Sequence, residues 1–196
     1  MNFLKIRPNE KRPILILFII FFCITGACIT GAAVRDAIFL INFDRTYLPL
    51  MYIFIALFMA LAIEAYKKLT SNKDQINLMI IAGSFFSMSL LVFQLHMAGW
   101  VIPAFYIWME IITILSIMQF WILAGEVFNP RQAKRLFPLI IAGGSIAAIG
   151  AGYSIKPFVE IYGSENLLYL TIIFLITSII MSHFVRPYIK VDIQEI

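Results

Sequence analysis

Six apolar runs, each near the length of a membrane crossing, recur along this chain with short polar connectors between them. They lie at about 13–41, 47–66, 76–96, 100–126, 138–156 and 166–185. An α-helix needs about 20 apolar residues to cross the hydrocarbon of a bilayer, so each run reads as a spanning helix. A soluble fold has nowhere to hide so much apolar surface. Hydrophobic residues make up 62% of the chain and charged residues 13%, against roughly 45–50% and 25% in soluble domains. The mean hydropathy is +0.93. In lipid, only helices and closed barrels satisfy their own backbone polar groups, and runs this long select helices. The expected fold class is therefore an all-α membrane protein, a six-helix transmembrane bundle over residues 13–187 with tails 1–12 and 188–196. The first run is overlong, which predicts a tilt, a protrusion or a break near Gly26 or Gly31. Glycine and alanine dilute the fifth.

The sequence pI near 9.1 does not point to nucleic acid, because the basic residues fall in short clusters between the apolar runs. Lys5, Arg7, Lys11, Arg12, Lys67, Lys68, Lys73, Arg131, Lys134, Arg135, Arg186 and Lys190 lie on one side of the bilayer if the runs alternate. Arg35, Arg45 and Lys156 lie on the other. Twelve against three predicts that the N- and C-termini are both cytoplasmic. The run from Ile14 to Leu40 far exceeds a signal-peptide core of about 7–15 residues, so it reads as a retained span. For a helical bundle the bacterial inner (plasma) membrane is the default location, with membrane lipid as the first partner. The first three spans cover about 84 residues and the last three about 86, the length symmetry of a three-plus-three inverted repeat.

Cys23 and Cys28 lie five apart in one apolar run and face different ways on a helix. No disulfide, metal site or cofactor follows. His96 and His183 sit at opposite ends of helices. There is no HExxH, no paired catalytic carboxylates and no serine–histidine constellation, so an enzyme is not expected.

Charges at membrane depth are costly and mark function or a structural pair. Arg35 and Asp36 fall late in the first span, on a face shared with Thr25, Cys28 and Ala32. Arg35 either binds an anionic group, for which guanidinium is suited, or pairs with Asp36 or lipid headgroups. Glu110 lies ten residues into the fourth span and shares a face with Tyr106 and Thr113, while Gln119 faces another way. A buried glutamate is paired, hydrated or protonated; it is a substrate or proton site, or a partner for Arg35. Ser84, Ser87 and Gln94 repeat at helical spacing in the third span, as a cavity wall or as interhelical hydrogen bonds. Lys156 either snorkels to headgroups or faces the interior as a second cation. Glu126 is expected in a salt bridge near Arg131 or at a gate.

In the fifth span Gly144, Ala148 and Gly152 are spaced by four, as are Gly143, Ala147 and Ala151. Small residues at that spacing allow close helix packing. The connector FNPRQAKRLFP reads as a short helix along the inner surface, started by Asn129 and Pro130. Its Arg131, Lys134 and Arg135 are available to lipid phosphate or a neighbouring acid. Pro138 is expected to begin the next span.

The stretch YIWMEIITILSIMQFWILAGEVFNPRQAKRLFPLIIAGGS, Tyr106 to Ser145, resembles the ATP/ADP translocase family of nucleotide transporters and its bacterial relatives in the major facilitator superfamily. VRDAIFLINF, Val34 to Phe43, and LPLMYI, Leu48 to Ile53, resemble the family's first loop and second helix. Together these cover about a quarter of the chain. The resemblance implies an alternating-access carrier of nucleotides or similar organic anions. It implies that Arg35 and Glu110 face the cavity, that Trp121 precedes an inner gate, and that Arg131, Lys134 and Arg135 form the cytoplasmic segment. Gly125-Glu126 departs from the Asn-Asp of many relatives. The superfamily builds its site between two six-helix halves, and this sequence corresponds to the N-terminal one. A second six-helix bundle, from another copy or a separate chain, is therefore the expected partner. The rival expectation is a transporter-derived subunit that scaffolds a larger membrane complex and transports nothing.

Overall fold

A computed structural model describes residues 7–70 and 74–189. Lys5, Lys73 and Lys190, with most of the two tails, lie outside the described residues. The described residues form six α-helices and three short 3-10 turns, with no strand among them. α1 runs Lys11–Asn42, α2 Leu48–Thr70, α3 Gln75–Leu95, α4 Val101–Val127, α5 Pro130–Tyr162 and α6 Leu167–His183. Five are long and apolar enough to cross a membrane, while α6 is apolar but has only 17 residues. The chain is thus an all-α integral membrane protein.

α1 is one continuous helix of 32 residues, about 48 Å long, and no break occurs at its glycines. Gly26 and Gly31 serve clearance instead. A Cβ on Gly26 would sit 3.0 Å from the Phe174 ring of α6, and one on Gly31 would run into the Met109 side chain of α4.

The connector before the fifth span is not a separate surface helix. α5 begins at Pro130 and passes through Pro138 and Pro157 without a stop. Its start is set where the Asn129 N–H donates to Gln132 Oε1 at 3.1 Å, and a proline suits the first turn. Pro138 removes one helical hydrogen bond, but Leu136 and Ile140 on either side are buried, and that packing holds the helix through it. The helix ends at Gly163, whose φ of +85° is open to glycine at no steric cost.

α1 is the hub, with α4, α5 and α6 packed around it. α3 lies against α6 and α4, and α2 against α4. The core forms two stacked clusters. One joins Val34, Ile38 and Phe39 of α1 to Phe105 and Ile112 of α4 and Leu168 of α6. The other joins Leu17 and Ile20 of α1 to Phe120 and Leu123 of α4 and Ile140 of α5. The starts of α1, α3 and α5 and the ends of α2, α4 and α6 share one end of the bundle, here termed the basic end. Salt bridges at that end join Glu10 to Arg135 and Asp74 to Arg186. Large apolar side chains such as Ile53, Leu57, Ile149 and Tyr153 stay exposed, as lipid-facing or partner-facing surface requires.

Candidate functional site: a charged cluster at membrane depth

α1 and α4 run antiparallel, so residues counted from their shared end come level. Arg35 lies seven residues before Asn42 and Glu110 nine after Val101, which places them about 10 and 13 Å inside the helix ends. The Arg35 side chain is 10% exposed and donates from Nη1 to Glu110 Oε2. Its Nε donates to Asp36 Oδ1 at 2.9 Å. The guanidinium lies 4.5 Å from the centroid of the buried Tyr106 ring, a cation–π arrangement. Phe39 supports that ring from α1 at 4.8 Å, and Tyr52 of α2 reaches the Tyr106 hydroxyl. Glu110 is 29% exposed and Asp36 50%. One cation is therefore shared by two carboxylates, and the acidic side of the cluster is the open side. Two of the guanidinium's N–H groups and one of its faces are committed, which fixes its plane.

Trp121 lies eleven residues beyond Glu110 on α4. That spacing returns to nearly the same face about 16 Å toward the basic end. There it packs with Phe21 of α1, its neighbour Phe120 and Phe137 of α5, at ring centroid distances of 5.3, 5.2 and 5.2 Å. α1 and α4 thus carry a charged layer and, below it, an aromatic layer to which α5 adds Phe137. The close approach of α5 to α1 uses Gly143 and Gly144. A Cβ on Gly143 would meet the Phe18 backbone carbonyl at 2.8 Å, and one on Gly144 the Phe21 ring at 2.6 Å. Ala148 is exposed and Gly152 has open space around it, so the other two members of that spacing lie off the α1 contact.

Two expected members do not join the cluster. Lys156 is 85% exposed and pairs at 3.9 Å with Glu160 one turn along its own helix; it is not a second interior cation. Gln94 is half-buried on α3, one residue before the helix ends, and takes no part in the ion network. Ser87 of that helix donates back to its own Gly83 carbonyl at 2.9 Å. Glu126 makes no ion pair among the described residues; the charge it faces is Asp74, not Arg131. Arg131 and Lys134 are exposed.

Arg135 is engaged in a contact that residue spacing did not reveal. It donates to both oxygens of Glu10, at 2.7 and 2.6 Å. Gln132 Nε2 adds a bond at 3.0 Å and the Arg7 N–H another at 3.0 Å. Burial would raise the Glu10 pKa, but the Arg7 N–H, Gln132 and Arg135 together hold it below the usual carboxylate value. The available signal was a lone carboxylate among Arg7, Lys11 and Arg12. A second unforeseen contact is the hydroxyl pair of Thr30 and Thr171, 2.8 Å apart in the α1–α6 interface.

The chain matches no protein-family model, no curated protein and no solved structure. Its class rests on the fold and the cluster: a helical membrane protein with a charged network inside the bundle.

Proposed function

We propose that this bundle is half of an alternating-access carrier that binds a nucleotide or similar organic anion between itself and a second six-helix bundle, on the same or another polypeptide. The observation that carries the reading is Arg35, held at membrane depth by Glu110 and Asp36 over Tyr106. Such a charge is expensive unless it is used or paired. An incoming phosphate or carboxylate competes with Glu110 for the guanidinium fork. Glu110, released, takes a proton or a polar group of the substrate. The Tyr106 ring keeps the fork in place while its partner changes. The aromatic layer of Phe21, Trp121 and Phe137 supplies a seal on the basic side of the binding level, and the Gly143–Gly144 contact lets α5 rock against α1. In this reading α6 is a sixth span, the architecture is that of the N-terminal bundle of a major facilitator, and the basic end is cytoplasmic in a bacterial inner membrane.

The test is uptake of labelled ATP into proteoliposomes holding the protein with whatever partner co-purifies. Wild type is expected to accumulate label, Arg35→Lys to retain part of it and Arg35→Ala to lose it. Equal uptake by Arg35→Ala and wild type would remove the arginine from the mechanism.

A second reading has its own support. Arg35 already meets two carboxylates, so the network closes without a ligand. A non-transporting subunit that scaffolds a larger membrane complex would need no more. Purification in mild detergent separates the two: an unrelated stoichiometric complex favours the scaffold, and a self-dimer or a related bundle favours the carrier.

A further inference from the structure

α2 and α4 both start at the end of the bundle opposite the basic one. Tyr52 lies four residues after Leu48 and Tyr106 five after Val101, about 6 and 8 Å along their helices, so the two phenols come level. α2 turns Met51 and Ile55 into the bundle. Tyr52 stands beside that buried edge, 59% exposed, with its hydroxyl against that of Tyr106. Tyr106 itself is 1% exposed. Two phenols carry two protons, and one hydrogen bond between them uses only one. The buried phenol has no water to turn to, so it is the one that donates. The Tyr52 O–H is left over, and among the described residues it has no further partner. The same Tyr106 ring carries the Arg35 guanidinium over its face at 4.5 Å and is backed by Phe39. One aromatic plate thus holds two donors in fixed relation: a guanidinium above its face and a spare O–H at its hydroxyl edge. The carboxylates nearest them are the exposed members of the cluster, Asp36 at 50% and Glu110 at 29%.

On the carrier reading, we infer that Tyr52 is a second ligand of the substrate anion. When a phosphate or carboxylate displaces Glu110 from Arg35, one of its oxygens accepts from the guanidinium and another from the Tyr52 O–H. Ionised Asp36 and Glu110 are acceptors only, so neither can supply that bond. A neutral donor adds a hydrogen bond to the anion without adding charge to the site. It also gives α2 a direct hold on the substrate, while Tyr106 fixes where the Tyr52 oxygen stands.

The test measures the half-saturating concentration and the maximal rate of labelled ATP uptake into proteoliposomes. Tyr52→Phe removes one oxygen from an exposed side chain and leaves its ring. It is expected to raise half-saturation about tenfold or more, as loss of a hydrogen bond to a charged group does, and to leave the maximal rate near that of wild type. Tyr106→Phe keeps the ring under Arg35 but releases the Tyr52 hydroxyl, and should raise half-saturation by less. The double variant should match Tyr52→Phe, because Tyr106 then has no hydroxyl to position. Tyr153→Phe, the same loss from an exposed phenol of α5, should change nothing. If Arg35→Ala abolishes uptake while Tyr52→Phe keeps the half-saturation of wild type, the carrier stands and the Tyr52 contact falls. A lowered maximal rate with half-saturation unchanged in Tyr52→Phe also overturns the inference, since that is the behaviour of a helix contact and not of a ligand. A wild type that neither binds nor accumulates ATP removes the carrier and the Tyr52 contact together.

Discussion

Replacing each partner of the Arg35–Glu110 pair, singly and together, measures how far the cluster depends on mutual charge. Two unit charges about 4 Å apart interact by about 4 kcal/mol at an effective dielectric near 20. Glu110 is 29% exposed and Arg35 keeps Asp36 after Glu110→Gln, so that change should cost about half as much, ~2 kcal/mol. Arg35→Met is worse. It removes both ion pairs and the Tyr106 contact, and it leaves two carboxylates facing each other without their cation. Breaking a buried pair from one side costs about 3–5 kcal/mol. The double variant should be more stable than Arg35→Met alone, because it also removes the carboxylate left without a partner. The coupling should therefore be at least ~2 kcal/mol in size, the whole cost of Glu110→Gln. Reversible unfolding by SDS in mixed micelles, followed by circular dichroism, reads all four proteins. If the two single costs add to the double within about 0.5 kcal/mol, the pair is not coupled and the cluster is only a coincidence of position.

Two further outcomes are expected in the same unfolding assay. Glu10 has a depressed folded pKa, so its contribution is present above its unfolded value near 4.5 and is lost as pH falls through the lower folded value. Glu10→Gln should thus cost about 2 kcal/mol at neutral pH, with the gap to wild type closing only below pH 4.5; a gap that closed between pH 7 and 5 would contradict the contact set around Glu10. Gly143→Ala forces a Cβ to within 2.8 Å of the Phe18 carbonyl and should destabilise by about 1–3 kcal/mol. Gly152→Ala enters open space and should be neutral or stabilise by about 0.5–1 kcal/mol, and a reversal of that order would refute the packing frame of α5.

Number, kind and approximate place of the helices were legible in the sequence, because a run of apolar residues long enough for a bilayer leaves little choice of structure. The level of Arg35 with Glu110 was also within reach, since antiparallel neighbours bring residues equally far from a shared end together. What only the tertiary structure decided was which face of each helix turns inward. In a soluble bundle an apolar stripe marks the buried side. Here lipid and protein interior are both apolar, so hydropathy does not separate Gly143 and Gly144, which meet α1, from Ala148 and Gly152, which do not. The same ambiguity left Lys156 open to two readings and hid the Thr30–Thr171 contact. Pro138 looked like a boundary because local chemistry disfavours it in a helix, and the buried neighbours Leu136 and Ile140 overrode that preference. Glu10 met Arg135 across more than a hundred residues, a distance that charge patterning along the chain does not bridge. Helix identity follows from the solvent each segment must enter; helix orientation follows from the shapes of its neighbours, which exist only once the bundle has formed.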